Sequence, residues 1–256
     1  SGHILEFVDN EKGLPKAKVV LQIDGQPNCV SFEDRNEMII CDPSSQALLT
    51  TGSENKTSIL CNEYESESFR GPSHCIMDSK GCKYFTDGGP LGDTSLQSPK
   101  GSLFIINNQG ILRPLAFKCL AQPTDLVFSP NEKCLYVLEM LKNRILRFVE
   151  TNNGTWIYSV FYQFNGAVGP SGIDIDSEGN LFVTRFEHKG LNTSGYLSVI
   201  EPSGKLVTEI ETAAPEVTGI TYNKHTNMIY ITEVSTNSIF QIHVDDIFNQ
   251  KKMLNQ

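Results

Sequence analysis

One module recurs five times along this chain of 256 residues. Each copy has a Pro or its equivalent, a small polar residue, an apolar strand, a polar turn, and a second strand closing on a charged residue. The copies begin Gln26-Pro27-Asn28-Cys29, Gly71-Pro72-Ser73-His74, Gln122-Pro123-Thr124-Asp125, Gly169-Pro170-Ser171-Gly172 and Glu216-Val217-Thr218-Gly219. Their second strands end at Asp42, Asp87, Glu139, Arg185 and Glu233. From Pro27 to Pro72, Pro123, Pro170 and Val217 the steps are 45, 51, 47 and 47 residues. A fixed period of this length marks an array of equivalent supersecondary units, each unable to bury its apolar faces alone.

The unit is all β. Its segments are short, rich in Val, Ile, Phe and Tyr, and separated by turns such as Asp176-Ser177-Glu178-Gly179-Asn180. A third and a fourth strand follow, as in Asn143 to Phe148 with Trp156 to Phe164, or Gly195 to Ile200 with Leu206 to Ile210. The longest helical candidate is the tail from Asp245. Four antiparallel strands per period predict a β-propeller, with residues 1–256 as one domain. A sandwich has comparable strands but no reason to repeat one motif at constant spacing. Strands at His3 to Val8 and Lys18 to Ile23 precede the first module. They complete the ring, either by closing five blades or as the outer half of a sixth.

Charge and composition remove other classes. A net charge of -9 repels nucleic acid, and no run approaches the roughly 20 apolar residues of a membrane span. We therefore expect neither nucleic-acid binding nor a membrane span. The seven cysteines form no CxxC pair, and most read as small buried hydrophobes, which favours a cytoplasmic location. Asn-x-Ser/Thr triplets at Asn55, Asn153 and Asn192 keep secretion open. Ser1-Gly2-His3 reads as a tag remnant or a trimmed start.

The modules resemble the six-bladed family of senescence marker protein, gluconolactonase and luciferin-regenerating enzyme, and its strictosidine-synthase-like and NHL-like relatives. Tyr84-Phe85-Thr86-Asp87-Gly88 with Gly101-Ser102-Leu103-Phe104, and Phe128-Ser129-Pro130-Asn131 with Leu135-Tyr136-Val137 and Asn143-Arg144-Ile145, carry the likeness. It implies six blades, with the N-terminal strands in the first. It also implies a calcium ion at one channel mouth, held by a Glu and by Asn and Asp residues following the inner-strand Pro. Those positions here read Asn28, Ser73, Thr124, Ser171 and Thr218, which are neutral. We accordingly expect no cofactor, with calcium only if a rearranged site survives.

These five residues, together with Asp87, Glu139, Arg185 and Glu233, are the ligand-binding candidates; no catalytic residue is assigned. The small polar set either lines a ligand mouth or caps exposed backbone. The acids either face a ligand or accept backbone N–H bonds, and Arg185 either meets an anion or pairs with a neighbouring acid. Ser73-His74 is a poor nucleophile and base, since adjacent strand residues face opposite ways. By the resemblance, the loop Gly88 to Lys100 overhangs the mouth, with Glu187 to Asn192 its shorter counterpart. Trp156, Tyr158, Phe161, Tyr162 and Phe164 make an aromatic outer strand that packs between blades or docks a partner. The leading expectation is a diverged member that binds a small molecule or peptide at the mouth without the usual metal ligands. The alternatives are a metal-dependent lactone or ester hydrolase and a protein-interaction module with a protein partner.

Overall fold

The computed structural model describes residues 2–8, 16–33, 37–52, 56–166, 169–186 and 194–248. The chain divides into two compact units, residues 1–94 with 99–120 and residues 95–98 with 121–256.

In the first unit, β1 (Gly2–Val8) pairs antiparallel with β2 (Lys16–Ile23) as a two-stranded sheet. The first module forms β3 (Cys29–Phe32), β4 (Met38–Asp42), β5 (Ala47–Thr51) and β6 (Thr57–Cys61), hydrogen-bonded in that order. A small hairpin follows, β7 (Glu63–Tyr64) and β8 (Glu67–Ser68). The second module forms β9 (Pro72–Met77), β10 (Lys83–Asp87), β11 (Gly101–Ile106) and β12 (Leu112–Leu120).

The second unit repeats the plan. One sheet contains β13 (Pro123–Phe128), β14 (Cys134–Glu139), β15 (Arg144–Glu150) and β16 (Trp156–Gln163). The next contains β17 (Gly169–Ile175), β18 (Leu181–Phe186), β19 (Tyr196–Ile200) and β20 (Leu206–Glu211). The last has three strands, β21 (Val217–Asn223), β22 (Met228–Glu233) and β23 (Ser238–His243), with a helical turn over 244–248.

Two-sided burial explains why the second strands carry runs of adjacent apolar residues, as in Met38 to Cys41 and Leu181 to Val183. In β4, Met38 and Ile40 join Leu21, Ile23 and Leu49 on one face, while Ile39 and Cys41 join Cys75, Phe85 and Phe104 on the other. In β18, Leu181 and Val183 pack with Tyr136, Ile145 and Ile173, and Phe182 packs with Leu197, Val217 and Ile229. A strand buried on both faces needs apolar residues at both parities. Each fully buried Leu, Ile or Phe contributes on the order of 1.5–3 kcal/mol.

The described residues thus contain five blade-like sheets, the last three-stranded, where six blades were expected. The N-terminal strands pair with each other, and β2 packs on the face of the β3–β6 sheet opposite β9–β12. Cys29, Cys41 and Cys75 are buried and free, as small core hydrophobes should be; Cys61, Cys82, Cys119 and Cys134 are half-buried. Among the described residues, no helix is long and apolar enough to cross a membrane. Asn55, Asn192 and the loop Glu187 to Asn192 lie outside the described residues, whereas Asn153 is exposed in a turn.

Candidate functional site

In four of the five modules the small polar residue that opens the inner strand sits at a break in the ladder. Pro72 faces Asp87 and His74 faces Thr86, which leaves Ser73 without a partner residue. Pro170 faces Arg185 and Gly172 faces Thr184, leaving Ser171; Val217 faces Glu233 and Gly219 faces Thr232, leaving Thr218. In the third module, Thr124 and Asp125 stand against Leu138 alone. An extra residue in one strand is a β-bulge, which bends the strand and re-aims the side chain. Asn28 precedes β3, and its N–H donates to the Cys41 carbonyl at 2.9 Å.

Several of these side chains reach the next inner strand. The Asn28 amide donates to the Ser73 carbonyl at 2.9 Å, and Ser171 Oγ donates to the Val217 carbonyl at 2.8 Å. Thr124 Oγ1 donates more weakly to the Pro170 carbonyl, at 3.4 Å. Thr218 instead meets Thr232 within its own sheet at 3.1 Å. Close passage of β17 and β21 requires Gly172, where an added Cβ would lie 3.1 Å from the Gly219 Cα.

Two carboxylates that the repeat did not single out reinforce this seam. Asp125 accepts the Ile173 N–H at 2.9 Å, and Asp174 accepts the Tyr222 N–H at 2.7 Å. Burial pushes the Asp174 carboxyl above its ordinary range, against those bonds. Thr86, Thr184 and Thr232 form a further repeated set beside the bulges. Thr86 Oγ1 accepts the His74 N–H, Thr184 Oγ1 meets Ser171 Oγ, and Thr232 Oγ1 accepts the Gly219 N–H. Their signal was visible as a Thr preceding the closing charge in three modules.

The acids closing the second strands are buried and hold the connection leading into the inner strand. Asp42 accepts the Gln26 N–H, Asp87 those of Arg70 and Gly71, Glu139 that of Ala121, and Glu233 that of Glu216. Glu139 also pairs with Arg144 at 2.6 Å and Lys142 at 2.9 Å. Burial outweighs the N–H bonds at Asp87 and raises its pKa. At Glu233 burial pulls the same way, but bonds from Ser235 and Thr236 and two backbone N–H groups prevail and hold it down to about 2.

Arg185 fills the same place with opposite polarity. Its guanidinium donates to the Asn165 carbonyl at 3.1 Å, pairs with Glu209, and lies 4.3 Å from the Phe164 ring centroid. Burial lowers its pKa, and Glu209 opposes that shift. Its neighbour is therefore an acid of its own sheet. The acids and Arg185 accordingly brace connections.

The remaining sequence candidates distribute as follows. His74 makes its backbone bond to Thr86, and His243 Nδ1 lies 3.6 Å from Asp245 Oδ2. Phe161, Tyr162 and Phe164 pack with Ile173 and Leu181 of the following sheet. Ile157, Tyr158 and Val160 of β16 are exposed. Among the described residues, no group of three His, Cys, Asp or Glu side chains is placed to hold a metal ion.

Repeated four-stranded antiparallel sheets with bulged inner strands define a β-propeller. The SMP-30/Gluconolactonase/LRE-like region model matches residues 8–236. The chain belongs to that family. Curated relatives include a lactonase drp35 of Staphylococcus haemolyticus, 29% identical over 115 residues, and one of Staphylococcus aureus (strain USA300), 32% identical over 122 residues. Each match covers 43% of this chain and 34% of the relative, so the chain spans about a third of those lactonases. Among solved structures, a gluconolactonase from Xanthomonas campestris superposes with TM-score 0.76 at 19% identity, over 94% of this chain and 78% of that one. A calcium-binding protein, regucalcin, from Agrobacterium tumefaciens gives 0.72 at 14%, over 90% and 79%. At such identities these likenesses concern the fold alone.

Proposed function

We propose that this chain is a diverged family member that binds a small molecule or peptide where its bulged inner strands open, without a divalent cation. In this reading the ligand is taken by the inner-strand openings, at Asn28 and Ser73 in one unit and at Thr124, Ser171 and Thr218 in the other. The β1–β2 hairpin is the outer half of a first blade in a six-bladed plan. One observation carries the proposal: the small polar residues at all five inner-strand openings are neutral, while the strand-end acids Asp42, Asp87, Glu139 and Glu233 are buried against backbone donors. Calcium takes about six to eight oxygens, usually with carboxylates among them. Hydroxyls already directed at neighbouring carbonyls fit that demand poorly. They suit a polar ligand that exchanges hydrogen bonds with the strand openings.

The second reading is a metal-assisted lactonase, favoured by the matched relatives' being lactonases. It needs a Lewis acid and an activated water. Calorimetric titration with calcium chloride separates the two. We expect no saturable heat at millimolar metal, and δ-gluconolactone hydrolysis no faster with calcium than with a chelator. Calcium-dependent turnover would replace the binding reading with the hydrolase. With δ-gluconolactone as the binding probe, Thr124→Val and Ser171→Ala should weaken affinity; unchanged affinity in both folded variants would remove this reading.

A further inference from the structure

The second module carries two insertions that no other described module shares, and both border one cavity. The connection from β6 to β9 holds the β7–β8 hairpin, turned through Glu65 and Ser66 at positive φ. The other insertion is the loop after β10. Gly89, at φ +71°, lies against the Arg70 stem, where a Cβ would stand 3.0 Å from that of Arg70. Asp93 of the loop pairs with Arg70, and Thr94 Oγ1 accepts the Lys100 N–H at 2.9 Å.

The cavity measures about 310 Å³. Tyr64, Phe104 and Phe117 give it an aromatic wall, with ring centroids 5.5 to 6.1 Å apart. Arg70, Lys100 and Lys118 line it as cations, and Glu67 and Asp87 as acids. Lys118 sits at φ +49°, where a β-branched or bulky residue is strained, and its N–H donates to Ser102 Oγ at 3.0 Å. Its ammonium pairs with Glu67 and stands 5.1 Å from the Phe117 centroid. Arg70 uses one terminal nitrogen on Asp93, and its Nε is buried with no hydrogen-bond partner. Lys100 has no carboxylate partner among the described residues.

A carboxylate can meet a guanidinium's outer nitrogens and an ammonium, and a flat ring matches aromatic walls. We propose that this cavity binds a small aromatic carboxylate, its ring against Tyr64, Phe104 and Phe117 and its charge on Arg70 and Lys100. None of the bulge residues lines it, so it is separate from the openings proposed above.

Benzoate is the probe, followed by ligand-observed NMR on the whole chain, with benzyl alcohol as the neutral counterpart. We expect saturable binding with Kd on the order of millimolar, as suits so small a ligand. Benzyl alcohol should bind at least about tenfold more weakly, since it lacks the charge that the guanidinium reads. Lys100→Gln, an exposed change that leaves folding intact, should weaken benzoate roughly threefold, and Arg70→Gln about tenfold or more. Competition by inorganic phosphate at concentrations equal to benzoate would overturn the ring contribution. Absence of saturation at tens of millimolar, equal binding of benzyl alcohol, or unchanged affinity in Lys100→Gln would overturn the proposal. Ser171→Ala should leave benzoate affinity unchanged, so this test stands or falls apart from those openings.

Discussion

The β9–β12 and β17–β20 sheets begin from the same module and solve one problem in opposite ways. Each must hold the connection that feeds its inner strand. In the first, Asp87 accepts the N–H groups of Arg70 and Gly71. In the second, Arg185 donates to the Asn165 carbonyl and neutralises itself against Glu209. What the repeat preserves is a buried, charged, hydrogen-bonding brace at the end of the second strand, and its sign follows whichever backbone group the connection presents. The sheets differ again above that brace. The first has gained a hairpin and a long loop that border a cavity, while Arg185 of the second is spent on rings and an acid of its own sheet.

The strongest challenge to this comparison is to restore the common acid. Arg185→Asp should destabilise by about 3–5 kcal/mol in urea unfolding, because it breaks a largely buried pair and sets a carboxylate against a carbonyl. A milder loss would show that the connection can turn an N–H inward. Asp87→Ala should cost about 2–3 kcal/mol, as two backbone donors lose their acceptor. Gly89→Ala tests the loop that borders the cavity. Its left-handed φ and the close Arg70 stem predict a loss of about 1–2 kcal/mol, together with weaker benzoate binding.

Acid titration sharpens the contrast among braces. Glu233 titrates near 2, below its ordinary 4.5, so it stabilises the fold above that ordinary value and the gain fades as pH falls toward 2. Asp87 is raised above its ordinary 3.8, so its ionisation costs stability as pH rises through the folded value. Stability measured across pH 2–5 should therefore show the gap between wild type and Glu233→Gln closing on acidification. Relative to Asp87→Asn, wild type should lose ground as pH rises. The smallest effect is expected at Thr184→Val, which removes the hydroxyl facing Ser171, at about 1 kcal/mol.

Much of the scaffold was readable because repetition and alternation are properties of order along the chain. The five openings at Asn28, Ser73, Thr124, Ser171 and Thr218 were aligned by the shared module and its spacing, and the structure places bulges at the last four. The acids were legible as a set. Their partners were not, because an acceptor does not announce which N–H it meets tens of residues away. Asp125 and Asp174 escaped for a related reason: each occurs at its own depth in the inner strand and so never formed a column in the repeat. The pairing of β1 with β2 also lay beyond the pattern, since an edge strand has the same composition whichever neighbour it takes.

The order of residues, by itself, determined the all-β module, its period, the charged residue closing its second strand and the neutral character of the inner-strand openings. Tertiary structure alone decided which polar groups are consumed as bracing and which line the cavity beside Tyr64. Hydrogen bonds and ion pairs act over a few ångströms in space, and folding brings together Arg70, Asp93, Lys118 and Glu67 from segments whose sequence distances carry no trace of that meeting.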